Sequence, residues 1–106
     1  MKYPIMYRTA YDEDHALVEG GFWTPKRAYA VYMFPDRPLF RCRLKPTAKV
    51  QSLPEFTTGW RFNELRKLKI DAAIFPSFTW ENSVEIVLFN SKAVIGFKRI
   101  AEGKRS

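Results

Sequence analysis

Near its end, the chain carries the segment SVEIVLFN, residues 83–90, in which five of the eight positions are apolar. Successive side chains of a strand point to opposite faces, so a strand of this composition is buried on both sides. The segment therefore predicts a strand inside a sheet that is covered on both faces. Glu85 stands within this apolar run, where a carboxylate is costly unless a partner or a ligand uses it. Two interpretations are open: Glu85 opens the strand and leans into water, or it faces a cleft.

The remaining patterns predict an α+β fold in one domain, residues 1–106, because 106 residues suffice for one core and leave little room for a second. Helices are predicted at 12–19, from Pro25 onward with Thr24 as the N-cap, and at 60–68. Strands are predicted at 4–9, 22–24, 39–45, 48–53, 72–75, 84–89 and 93–100. The apolar positions at helical spacing are Ala28, Val31 and Tyr32 in the second helix and Phe62, Leu65 and Leu68 in the third.

The composition excludes several kinds of site. Cys42 is the single cysteine, which rules out an internal disulfide and a multi-cysteine metal site, and the single histidine rules out a histidine metal cluster. Cys42 shares one strand face with Phe40 and Leu44, which predicts a buried thiol. No apolar run has the length of a signal peptide or a membrane span. We expect a soluble, cytoplasmic monomer that makes no membrane contact and holds no metal.

The net charge of +7, from 18 basic and 11 acidic residues, favours polyanionic partners. Arg41, Arg43 and Lys45 alternate with the inward positions of their strand and form a basic stripe on its other face. The stripe has two readings: a solvated strand edge that resists aggregation, or a surface that binds an anion. The second reading supports one functional hypothesis, a small basic protein without catalytic activity that contacts nucleic acid or a host protein.

Three segments in order suggest a different hypothesis. They are YRT at 7–9, FWTPKRAYAVY at 22–32 and EIVLFNSKAVI at 85–95, and the preceding KIDAAIFPS at 69–77 adds to the pattern. Taken together, they resemble the ADP-ribosyltransferase fold, in particular the small bacterial and phage-type domains of its arginine–serine/threonine–glutamate class. The resemblance spans nearly the whole chain. It implies split β-sheets flanked by about three helices, and NAD as a substrate.

The resemblance also implies roles for individual residues. Glu85 is the catalytic residue, since a carboxylate stabilises the positive charge that develops on the ribose as the bond to nicotinamide breaks. Arg8 holds the NAD phosphates or ribose. Thr24 orients the ribose and the glutamate, and Trp23 and Tyr32 wall the nicotinamide.

Two positions depart from the family pattern. Thr9 follows Arg8 at a position where the family has glycine. The resemblance implies that this position contacts the nicotinamide. Ser83 stands two residues before Glu85, where members that modify arginine carry a second Glu or Gln. The activity implied is that of a mono-ADP-ribosyltransferase, or of an NAD glycohydrolase if no acceptor binds. The acceptor is a macromolecule, and both protein and nucleic acid stay open.

Overall fold

Alternating apolar and polar residues in the sequence correspond to two β-sheets packed face to face. The structure, a computed structural model, describes residues 3–55, 60–77 and 83–103, and residues 60–62 by their backbone alone. Within these ranges the strands are β1 (Met6–Thr9), β2 (Gly21–Trp23), β3 (Leu39–Leu44), β4 (Val50–Ser52), β5 (Ala72–Pro76), β6 (Val84–Leu88) and β7 (Val94–Ala101). The α-helices are α1 (Glu13–Ala16), α2 (Arg27–Met33) and α3 (Trp60–Lys67), and a 3₁₀ turn at Ser91–Ala93 precedes β7.

The strands form a three-stranded sheet in the order β1-β3-β7 and a four-stranded sheet in the order β2-β6-β5-β4. All pairs are antiparallel except β4 with β5. The two sheets are joined between β1 of the three-stranded sheet and the residue that follows β2 of the four-stranded sheet. There the backbones of Tyr7 and Thr24 exchange two hydrogen bonds of 2.7 and 3.0 Å. This bridge fixes the distance between the first strand and the start of the second helix.

Two apolar clusters hold the layers together. The larger lies between the sheets and contains Met6, Phe40, Cys42 and Leu44 from one sheet and Trp23, Ile86 and Leu88 from the other. The second lies on the far face of the four-stranded sheet and includes Val87 and Phe89, with Leu65 of α3. The prediction that β6 belongs to a sheet covered on both faces is therefore confirmed. Cys42 is buried as predicted, and its burial raises the thiol pKa to about 12.

The second helix begins later than the sequence pattern predicts. Thr24 is committed to the bridge with Tyr7, and α2 starts only at Arg27, after a bend at Pro25. The predicted N-cap role of Thr24 is therefore wrong: Lys26 is the N-cap, and the Thr24 hydroxyl accepts a 3.1 Å hydrogen bond from the Lys26 amide ahead of the helix. The later start also changes which face is buried. Tyr29 and Ala30 pack inward, whereas Ala28 and Tyr32 are exposed and Val31 is half-buried.

The other two helices are also shorter or differently oriented than predicted. α1 is a single turn that ends at Ala16, with Asp12 as its N-cap, instead of continuing to residue 19. In α3, Leu65 is buried as predicted, but Leu68 follows the helix and is 69% exposed, so its predicted inward position is wrong. The prediction for the Phe62 side chain falls outside the described residues. No helix in the described ranges is long and apolar enough to cross a membrane.

Candidate functional site

A cavity of about 350 Å³ opens at the junction of the two sheets, between β1, β2 and α2. Its lining comes from segments that are far apart in the sequence. The lining residues are Tyr7, Arg8, Thr9, Phe22, Trp23, Thr24, Tyr29, Ala30, Met33, Phe34 and Glu85. Five of the six predicted site residues, including Arg8, Thr24 and Glu85, therefore border one cavity.

Arg8 is held in place by the neighbouring sheet. Its Nη1 donates a 3.0 Å hydrogen bond to the carbonyl of Phe22, which anchors the guanidinium to β2. The backbone beside it is glycine: a Cβ on Gly21 would stand 3.1 Å from Arg8 Cζ and 3.1 Å from the Val18 carbonyl oxygen. Since real Cβ contacts are rarely so close, the guanidinium occupies space that any larger residue at position 21 would take.

The surroundings of Arg8 are unusually positive. Burial lowers the Arg8 pKa from its ordinary value, and repulsion from Arg37 lowers it further. Arg37 is clamped between two rings, with its Cζ 4.1 Å from the Tyr11 ring centre and 3.9 Å from that of Phe34. Its Nη2 also donates a 2.9 Å hydrogen bond to the Tyr11 hydroxyl. Among the described residues no carboxylate forms an ion pair with either arginine.

Thr9 and Thr24 both line the cavity, but their hydroxyl groups make different hydrogen bonds. Thr9 donates a 3.1 Å hydrogen bond from its hydroxyl to the Ala30 carbonyl, which fastens α2 to β1. That carbonyl lies in the last turn of α2, where helix carbonyls lack partners within the helix. Thr24 is buried, and its hydroxyl accepts from the Lys26 amide, so the hydroxyl proton is left to donate into the cavity.

Glu85 borders the cavity from the start of β6. It stands opposite Phe75 in the pairing of β5 with β6, on the same face as Val87. The carboxylate side chain is half-buried, and Phe22 packs edge-to-face on Phe75 beside it at 6.2 Å between ring centres. Of the two interpretations left open by the sequence, the structure supports the one in which Glu85 faces a cleft.

The aromatic residues that line the cavity differ in part from those predicted. Trp23 is 1% exposed and lines the cavity, and its indole Nε1 has no hydrogen-bond acceptor within the described part of the chain. Tyr32, predicted to share this role, is 76% exposed and lies outside the cavity lining. Tyr29, one turn earlier, takes its place, because α2 begins at Arg27 and turns that face toward β1.

Sequence reasoning missed Tyr29, Phe34 and Arg37. The motif FWTPKRAYAVY contains both Tyr29 and Tyr32, and the residue at which α2 begins determines which of the two side chains faces the cavity. Arg37 lies in the turn PDRP between α2 and β3, where no periodicity indicates orientation. The one signal in the sequence is Phe34, an aromatic residue three positions before Arg37, whereas Tyr11 is 26 residues away.

The site contains no cluster suited to a metal. Among the described residues, no group of three or more His, Cys, Asp or Glu side chains is close enough to hold an ion. No protein-family model, no curated protein and no solved structure matches this chain.

Proposed function

We propose that this protein is an NAD-dependent mono-ADP-ribosyltransferase, which acts as an NAD glycohydrolase when water takes the place of the acceptor. The observation that carries the proposal is the meeting of Arg8, Thr24 and Glu85 at one cavity. These are the three motif residues of the arginine–serine/threonine–glutamate class. They come from β1, the end of β2 and β6, and nothing in their local sequence requires them to meet.

The charge of the cavity supports a phosphate-bearing substrate. Arg8 lines the cavity and is repelled by Arg37, and an anion bound at Arg8 would relieve that repulsion. A guanidinium offers paired donors that match phosphate oxygens, so Arg8 would bind the pyrophosphate or the adjoining ribose hydroxyls. The volume of about 350 Å³ is near the lower end of the ~300–1,000 Å³ that ligand pockets occupy. We infer that the cavity encloses the nicotinamide riboside end and that the adenosine end extends beyond it.

The apolar walls suit the leaving group. Phe22, Trp23 and Tyr29 line the cavity, and the partly exposed ring of Phe22 offers a surface on which an aromatic amide such as nicotinamide can stack.

Glu85 would act on the bond between ribose C1′ and the nicotinamide nitrogen. When that bond breaks, its electron pair leaves with the nitrogen and neutralises the pyridinium, while positive charge develops on the ribose. A carboxylate that hydrogen-bonds a ribose hydroxyl at this point stabilises the transition state more than the ground state. The acceptor then bonds to C1′ and loses its proton to Glu85 or to water. Thr24, whose hydroxyl proton is available, would orient the same ribose hydroxyl or the carboxylate.

The test is the rate of nicotinamide release from NAD by the wild type and by Glu85→Gln. The amide keeps the shape and one acceptor but removes the charge, so we expect a loss of about 100-fold or more. Glu55→Gln is a matched control, because Glu55 is exposed and lies outside the cavity lining. Equal rates in the wild type and Glu85→Gln would remove the proposed role of Glu85, and no release by the wild type would remove the activity.

The second candidate, a basic binding protein without catalytic activity, has an observation in its favour as well. Among the described residues, no acid pairs with Arg41 or Arg43 on the outer face of the three-stranded sheet. Absence of NAD cleavage together with tight binding of a polyanion would favour this candidate over the transferase.

A further inference from the structure

The outer face of the three-stranded sheet carries a row of positive charge. Arg41 lies directly opposite Lys98 of β7, and paired residues project to the same face of a sheet. Arg43, two residues further along β3, shares that face, and Lys45 follows directly after the last residue of the strand. We call Arg41, Arg43, Lys45 and Lys98 the basic face.

The charge of the basic face is not neutralised from within the described protein. The Nε atoms of Arg41 and Arg43 are buried against the sheet without an acceptor in the described ranges, and no described acid forms an ion pair with either guanidinium. Two acids bind another cation of β7: Glu13 and Glu102 both form ion pairs with Arg99. Unpaired cations in a row, in a chain of net charge +7, favour a polyanion.

Two arginines of the basic face also line a small cavity. A second cavity, of about 140 Å³, is lined by Ile5, Arg41, Cys42, Arg43, Ile95 and Gly96. A small hollow with two arginines in its lining suits a phosphate group with its adjoining sugar, whereas a flexible acidic peptide has no need for the hollow.

The basic face adjoins the NAD cavity. Tyr7 lines that cavity and stands directly opposite Arg41 in the pairing of β1 with β3. The Tyr7 ring therefore shares a face with Arg41 and offers a surface on which a base can stack. A strand of nucleic acid held by the basic face would pass the mouth of the NAD cavity, where C1′ of the ribose is attacked.

We propose that the basic face binds single-stranded nucleic acid and presents it as the acceptor of ADP-ribose. This inference rests on the proposed function for the transfer step, but the binding step stands independently of it. In the transfer, a nitrogen or oxygen of the nucleic acid bonds to C1′, the bond from C1′ to nicotinamide breaks, and the acceptor's proton passes to Glu85 or to water.

Binding is tested with fluorescein-labelled RNA and DNA single strands of about 20 nucleotides, longer than one ~4–16-nucleotide site. The proteins are the wild type, Arg41→Gln/Arg43→Gln and the control Lys49→Gln/Lys67→Gln, which removes the same charge from exposed positions associated with the other sheet. Thermal melts check that each variant folds. We expect Arg41→Gln/Arg43→Gln to bind at least about tenfold more weakly than the control. Its slope of log affinity against log salt should fall by about 1.4, the value for two phosphate contacts to a single strand.

Three outcomes would overturn the binding step. They are equal losses in the two double variants, binding of polyglutamate as tight as that of the oligonucleotides, and preference for a duplex of the same sequence. The first would indicate that only total charge matters, the second an acidic protein partner, and the third a different nucleic-acid geometry.

The transfer step is tested with NAD labelled in its adenylate. The wild type should move label to the single strand, and Arg41→Gln/Arg43→Gln should move at least about tenfold less while releasing nicotinamide at an unchanged rate in the absence of nucleic acid. Nicotinamide release without label on the oligonucleotide would overturn this inference and leave the proposed function standing. A raised KM for NAD in the variant would assign the basic face to the dinucleotide instead. Binding without any NAD cleavage would overturn the proposed function and the acceptor role and leave only the nucleic-acid surface.

Discussion

The cavity and the corner between α1 and β7 both contain an arginine, in opposite surroundings. At the corner, Arg99 donates to Glu13 at 2.8 Å and to Glu102 at 3.2 Å, and these hydrogen bonds raise its pKa. In the cavity, Arg8 donates to a backbone carbonyl, stands near a second cation, and has its pKa lowered by burial and by Arg37. Arg99 is thus satisfied by the protein itself, whereas Arg8 is placed where an anionic ligand would complete its contacts. The comparison separates an arginine that stabilises the fold from one that is available for binding.

The largest difference between the two regions should appear in catalysis. Arg8→Gln removes the cation proposed to position the substrate, so we expect nicotinamide release to fall about 100-fold, with much of the loss in KM. Arg99→Gln should change the rate less than about twofold, because Arg99 and its partners Glu13 and Glu102 are not among the residues that line the cavity. Steady-state kinetics on both variants makes the measurement. Similar losses in both would indicate that the effect of Arg8→Gln is one of general charge or folding.

A smaller effect should follow from crowding Arg8 without removing it. The Cβ of Gly21→Ala would meet Arg8 Cζ at 3.1 Å, so the guanidinium must shift. A displacement of this size should lower nicotinamide release by about tenfold. In an Arg8→Gln background, Gly21→Ala should cost little more, since the displaced group is absent. A full additional tenfold loss there would show that Gly21→Ala acts through the backbone near Val18 and not through Arg8.

The smallest expected effect is on the pH dependence of stability, through the Arg99–Glu13 pair at the corner between α1 and β7. The hydrogen bond from Arg99 is the leading cause that lowers the Glu13 pKa in the folded protein. A lowered folded-state pKa contributes stability that is present above the unfolded-state pKa, about 4.3, and is lost as the pH falls through the folded value. Urea titrations should therefore show that wild-type stability declines slightly more than that of Glu13→Gln below about pH 4. A steeper decline in Glu13→Gln would contradict the assignment of this pair.

The parts of the fold that follow from local patterns could be predicted from the sequence. The alternation of β3 placed Phe40, Cys42 and Leu44 on one buried face, and the apolar run at 84–88 placed β6 inside a covered sheet. The motif order brought Arg8, Thr24 and Glu85 forward as candidates, although only the pairing of strands brings them to one cavity.

The parts that depend on tertiary contacts could not be predicted. The bridge between Tyr7 and Thr24 delays the start of α2, and this shift exchanges Tyr32 for Tyr29 at the cavity. The position of Arg37 depends on two rings that are separated from each other by more than twenty residues in the sequence. Neither a bridge nor a stacking partner leaves a periodic signal in the chain.

The most direct measurement is a titration of isotopically labelled protein with NAD, followed by NMR at the arginine side chains and the backbone amides. The proposal that NAD occupies the cavity predicts shifts at the Arg8 guanidinium and at the amides of Thr24 and Glu85, with the Arg99 signals unchanged. Shifts confined to other surfaces, or none at millimolar NAD, would contradict it.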